Sequence, residues 1–223
     1  LKTNKKNKEV EIMNNIVTAN KEKFIELLKR VNRPGIEDLI KFLENSDFFT
    51  APDSTKSFRA YEGGLCEHAL VRYDYLLKLS ELSKDQEVVH DDSSYLIVGL
   101  LADLSKTNYF EQFISNKKVY APDGSKHDNM GNFDWVAESA WKVKDAEDRY
   151  IFGTLGHNAE RMITEFIPLR DEESAAIIHL RSSYENPNLS IIPIYKKYPL
   201  AAILNAAEML TNFVSLPGDV LPF

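Results

Sequence analysis

The segment SSYLIVGLLADLSK, residues 93–106, constrains this chain more than any other, because it is apolar on every side until it reaches Asp103 and then Lys106. A helix that is hydrophobic all round must be enclosed by others, so this one belongs at the centre of a helical body. Asp91, Asp92, Ser93 and Ser94 precede it as N-terminal capping and dipole partners. The carboxylate at its buried end demands an explanation. A buried Asp is paired, hydrogen-bonded, protonated or bound to a metal.

Neighbouring segments supply the enclosing helices. Phe24, Leu27, Leu28 and Val31 repeat at i, i+3, i+4 and i+7 until Pro34-Gly35 breaks the segment, and Ile36, Leu39, Ile40 and Leu43 repeat the pattern. Further helices are predicted over 65–82, 157–168, 172–183 and 199–214, where Pro199 suits a first turn. Between Lys117 and Gly153 the character changes to PDG and MGN turn signals with aromatics and no helical stripe. That stretch reads as a small β-hairpin or an ordered loop lying over the surface. The expected fold class is all-α, a helical bundle with this insertion around 117–153. One domain is expected over 21–216, after a tail over 1–20.

At 223 residues the chain can bury roughly 70% of its unfolded surface without staples. With 43% hydrophobic and 27% charged residues it has the composition of an ordinary globular protein. The single cysteine, Cys66, excludes an intrachain disulfide and a cysteine-based zinc site, which fits a cytoplasmic protein. No apolar run approaches the roughly 18 residues of a membrane span. The opening LKTNKKNKEVEI has lysines without a following apolar core, unlike a secretory signal. A net charge of −7 disfavours duplex nucleic acid as a partner, and the basic KTNKKNK cluster reads as solvated.

Five polar residues sit on or beside apolar helix faces: His68 in GGLCEHALV, Asp103, His157 in TLGHNAERM, His179 in AAIIH, and Glu208 in YPLAAILNAAEML. Singly, each fits a hydrogen-bonded core residue, with Asp103 and Glu208 paired to Arg72, Lys106 or Arg181. Together, three imidazoles and two carboxylates from five segments point to convergence inside one bundle, which is how helical bundles build metal sites. Such a ligand set suits Mn, Fe, Co, Ni or Zn, with no thiolate to select zinc. The literal His90-Asp91 pair in VVHDDSS is explained by capping, and His127 in GSKHDNMG reads as exposed.

The order of these residues resembles the HD-domain phosphohydrolase superfamily over about residues 60–214, and most of all its short stand-alone bacterial and phage members. That family's pattern is a His, a His-Asp doublet on a central apolar helix, often two more His, and a late Asp. YEGGLCEHALV resembles the first-His segment and gives His68. SSYLIVGLLADLSKTNYF resembles the doublet segment and gives Asp103 and Lys106. TLGHNAERM resembles the Gly-His segment, AAIIHLR matches the next His, and YPLAAILNAAEML resembles the closing segment, giving His157, His179 and Glu208. Two departures stand out. Ala102 occupies the place of the doublet's His, and Glu208 that of the closing Asp. Ala102 is either a natural loss or an engineered inactivation.

The resemblance implies an HD-like helical bundle holding a divalent metal (Mn, Fe, Co, Ni, Zn or Mg). Asp103 would bridge two ions, His68 and Glu208 serving one and His157 and His179 the other. Asp103 and Lys106 would be catalytic, with Lys106, Tyr109 and Arg181 contacting substrate and aromatics such as Phe133 or Trp135 beside a base. The substrate class implied is a nucleotide or related phosphoester. The alternative is a catalytically dead HD-like protein that binds a nucleotide or a protein partner, and Ala102 is what favours it.

Overall fold

In a computed structural model the chain runs through α1 (Lys2–Leu28), α2 (Ile36–Glu44), α3 (Gly64–Leu82) and α4 (Asp92–Leu101). A single 3-10 turn (Leu104–Lys106), strands β1 (Phe110–Tyr120), β2 (Lys126–Asp128) and β3 (Gly131–Val143), and a second 3-10 turn (Ala146–Asp148) follow. Helices α5 (Leu155–Thr164), α6 (Asp171–Ile178), α7 (Ile192–Lys197) and α8 (Pro199–Phe213) complete it. The structure describes residues 2–56, 58–82, 91–149, 153–181 and 190–214, with side chains from residue 13 onward. His90 lies outside the described residues. The backbone of residues 2–20, read above as a tail, forms the first part of α1.

The apolar stripes of the sequence close on one cluster. Phe24 and Leu28 of α1, Leu39 and Leu43 of α2, Leu65 and Leu76 of α3, Ile163 of α5, Ile177 of α6 and Leu204 of α8 are all buried in it. Helix α4 is the enclosed element that its sequence requires, with every residue from Ser94 to Leu101 buried. Its start is capped by Asp91, whose Oδ1 accepts from the Ser93 N–H at 2.9 Å. Glycine permits its close approach to α3: a Cβ at Gly99 would lie 3.0 Å from the Tyr73 ring and 3.2 Å from the Tyr73 Cα. No described helix is long and apolar enough to cross a membrane.

The sheet corrects the all-α expectation. Strand β3 is central, flanked antiparallel by β1, in register from Phe110↔Val143 to Tyr120↔Phe133, and by the short β2. The pairing starts at Phe110, before the 117–153 stretch assigned to a hairpin or loop. Its signal was weak for a physical reason. Most residues of β1 and β3 are exposed or half-buried on both faces, so neither strand carries the clean apolar alternation of a strand resting on a core. The molecule is therefore mostly helical with a three-stranded antiparallel sheet standing off it.

Gly35, which precedes α2, has φ +88°, and a Cβ there would meet the Phe166 carbonyl oxygen at 1.9 Å. Gly35→Ala combines left-handed strain with a backbone collision that no side chain can relieve. We expect it to lower Tm by about 5 °C or more in a thermal melt followed by circular dichroism.

Candidate metal centre

Five segments deliver charged groups to one buried point. Helix α3 contributes His68 and Arg72, four residues apart and therefore on one face. The backbone leaves the α-helical path at the end of α4, and Asp103 sits at that break with φ −106° and ψ 16°. The 3-10 turn that follows places Lys106 three residues on, where side chains eclipse. Helix α8 supplies Glu208, the residue three beyond α6 supplies Arg181, and the loop between α2 and α3 supplies Asp53. His68, Arg72 and Asp103 are fully buried, and Glu208, Asp53 and Lys106 nearly so.

The geometry is that of an ion network. His68 Nε2 donates to Glu208 Oε2 at 3.0 Å, while His68 Nδ1 lies 3.4 Å from Asp53 Oδ2. Arg72 donates through Nε to the Gly99 carbonyl at 3.0 Å, and through a terminal nitrogen to Asp103 Oδ2 and, at 3.1 Å, to Glu208 Oε2. Arg181 reaches the other oxygen of each acid, Asp103 Oδ1 at 2.5 Å and Glu208 Oε1 at 3.4 Å. Lys106 Nζ is 2.5 Å from Asp53 Oδ1 and 3.4 Å from Asp103 Oδ1, so an ammonium bridges those two acids. Asn212 Nδ2 also donates to Glu208 Oε1, at 3.1 Å.

The electrostatics follow from this packing. Burial pushes the Asp103 carboxyl up, but Arg181, Lys106, Arg72 and His68 outweigh it and hold the group well below the usual carboxylate range. Burial likewise opposes ionisation of Glu208, and His68, Arg72 and Arg181 hold it well below its ordinary value. Burial alone would lower Arg72 and Arg181; the facing acids raise both. Three acidic side chains (Asp53, Asp103, Glu208) thus meet three basic ones (Arg72, Lys106, Arg181). The numbers balance before His68 is counted.

Asp53, His68 and Asp103 nevertheless form a buried group that could hold a metal ion, each presenting one ligand atom within 4.8 Å of the others. Two oxygens and an imidazole nitrogen suit a divalent first-row ion. His68 Nδ1, within this group, has no hydrogen-bond partner among the described residues. The charge fits less well. A dication added where the Lys and Arg groups already equal the acids in number would leave a buried excess of positive charge unless Lys106 or a guanidinium withdrew.

The structure brings His68, Asp103, Glu208, Lys106 and Arg181 together. His157 is exposed, and its Nδ1 shares a hydrogen bond of 2.9 Å with Thr154 Oγ1. His179 is half-buried just past the end of α6, and burial, with His157 as a smaller cause, lowers its pKa. These two histidines neighbour each other, and Asp103 makes ion pairs with Arg72, Lys106, Arg181 and His68 among the described residues. Tyr109 hydrogen-bonds to Arg149 NH1 at 3.1 Å and packs edge-on against Phe110. Phe133 and Trp135 lie in the sheet, 6.0 Å apart. Ala102 is fully buried within the hydrophobic cluster.

Two members of the centre were missed or underweighted in the sequence. Asp53 sits in FFTAPDSTKSF, a stretch with turn chemistry and no periodicity, and no local signal marks it. Arg72 had a usable signal, its i+4 spacing from His68. The Asp53 loop is itself tied down: the Asp53 N–H donates to the Arg59 carbonyl at 3.1 Å, and Ser54 Oγ to the Phe58 carbonyl at 2.7 Å. Buried Arg59 pairs with Glu67 at 3.0 Å, which also accepts from Tyr61 at 2.9 Å. Beyond this loop a recess of about 650 Å³ opens against the sheet, lined among others by Lys56, Tyr61, Phe113 and Trp141.

Compared with known proteins, the chain matches no family model, no curated protein and no solved structure.

Removing one cation should leave buried carboxylates uncompensated. Arg72→Met is expected to cost about 3–5 kcal/mol in urea unfolding. Acid is expected to act through the same groups. Asp103 and Glu208 are held below their ordinary values of 3.8 and 4.5, so their contribution is complete above those values and is lost as pH falls through the lower folded-state values. Stability measured from pH 6 to pH 2 should drop below about pH 4, less steeply in Asp103→Asn than in the wild type.

Proposed function

We propose that this chain is a non-hydrolytic, HD-like protein that binds a nucleotide or related phosphoester without turning it over. One observation carries the reading. The positions that resemble an HD metal site are neutralised internally, with Arg72, Arg181 and Lys106 on the oxygens that a metal would need. Ala102, at the place of the doublet's His, points the same way. A site of this kind keeps its carboxylates because the fold now depends on the ion network, not because a reaction needs them.

The recess beside the Asp53 loop is the place where a ligand would meet the protein. Its volume of about 650 Å³ lies in the range of small-molecule pockets. Tyr61, Phe113 and Trp141 offer faces for a base, and Lys56 a charge for phosphate.

A second reading, a metal-dependent phosphohydrolase, is favoured by the Asp53, His68 and Asp103 group and by the orphaned His68 Nδ1. It requires Lys106 to leave the bridge between Asp53 and Asp103. Metal analysis of the purified protein by mass spectrometry, with hydrolysis assays on nucleotides and phosphodiesters in added Mn²⁺, separates the two. We expect less than stoichiometric metal and no turnover, while equilibrium dialysis detects nucleotide binding that Trp141→Ala weakens. Tightly held metal together with turnover abolished by Asp103→Asn would establish the second reading. Absence of nucleotide binding would remove the first.

A further inference from the structure

Exposed large apolar residues concentrate in the sheet. Phe113, Ile114, Val119, Tyr120, Trp135 and Val136 are all exposed there, Ile114 to 70%. Among the described residues, strand β1 is also bonded on one side only. Its partner is β3, and no backbone hydrogen bond among the described residues reaches its outer edge. An open strand of 11 residues is a template for another strand.

We propose that β1 pairs antiparallel with β1 of a second copy of this chain, about a twofold axis at Ile114, joining the two sheets into one of six strands. The register follows from backbone geometry and charge. Only alternate residues turn their N–H and C=O to the free edge, so residues that face each other across a twofold must be both odd or both even. Glu111 opposite Lys117 satisfies this; Glu111 opposite Lys118 does not. The register that sets Glu111 against Lys117 does so twice by symmetry, and it places Gln112 against Asn116 and Ile114 against itself.

The same face already carries the complementary ends of that pairing. Glu111 lies 2.7 Å from Lys142, and Lys117 lies 3.7 Å from Glu138. Across the junction Lys142 and Glu111 meet Lys117 of the second copy, whose Glu138 lies diagonally beyond it, so the signs alternate. A shift of two residues either way sets Glu111 against Ser115 or Val119 and loses both contacts. Exposed ion pairs contribute little energy, so these charges select the register while backbone bonds and the apolar residues drive association.

Sedimentation equilibrium on the full chain tests this. The wild type should be a dimer, and Glu111→Lys and Lys117→Glu should each weaken it by about tenfold or more. Mixing these two variants should restore association as a heterodimer, because each then offers the sign that the other lacks. The double reversal in one chain should restore the homodimer. Ile114→Cys should give a disulfide-linked dimer on mild oxidation, since the native Cys66 is buried and does not compete. A monomeric wild type at all concentrations would overturn the proposal, as would a dimer indifferent to both reversals or an Ile114→Cys chain that does not cross-link. The recess shares Gln112, Phe113, Ser115 and Glu138 with these strands, so the measurements are made without nucleotide, where their outcomes do not depend on nucleotide binding.

Discussion

The structure turns on the neutralisation of Asp103. A carboxylate ends the most enclosed helix of the molecule, and no part of the apolar cluster can accommodate its charge alone. Arg72 from α3, Arg181 from beyond α6 and Lys106 from the turn after α4 must all reach it, and Glu208 of α8 must share the two guanidinium groups. The network therefore fixes how four separate parts of the chain meet. Hydrophobic burial brings the helices together, and the ion network restricts the ways in which they can be arranged.

That role changes what the resemblance to a hydrolase means. Carboxylates and an imidazole stand here in an order that resembles a metal-dependent enzyme, and Arg72, Lys106 and Arg181 lie against those carboxylates. A guanidinium is always charged, planar and able to bridge two acids, which makes Arg72 and Arg181 effective permanent counter-charges. They supply charge without supplying an open coordination position or an activated water.

Much of this was legible in the sequence, and the limits have physical causes. The all-round apolar run of 93–101 gave the enclosed helix, and helical stripes gave α2, α3, α5, α6 and α8 to within a few residues. His68, Asp103 and Glu208 could be brought together because each stands out on an apolar face. His157 and His179 stood out equally; His157 is exposed in the first turn of α5 and His179 is half-buried just past the end of α6. Asp53 was invisible because loop residues carry no periodicity. The sheet was underread because a sheet with two solvated faces lacks the alternation by which strands are recognised.

The Asp53 loop has one more consequence. Its first residue is anchored in the ion network, its far end in the Arg59–Glu67 pair, and Tyr61, on the rim of the recess, hydrogen-bonds to the same glutamate. The wall of the recess is thus bolted at both ends to groups that cannot move without stranding a buried charge. A guest there would meet a preorganised surface and lose little freedom in shaping it, and the stiffness of that surface would be set by salt links lying beneath it.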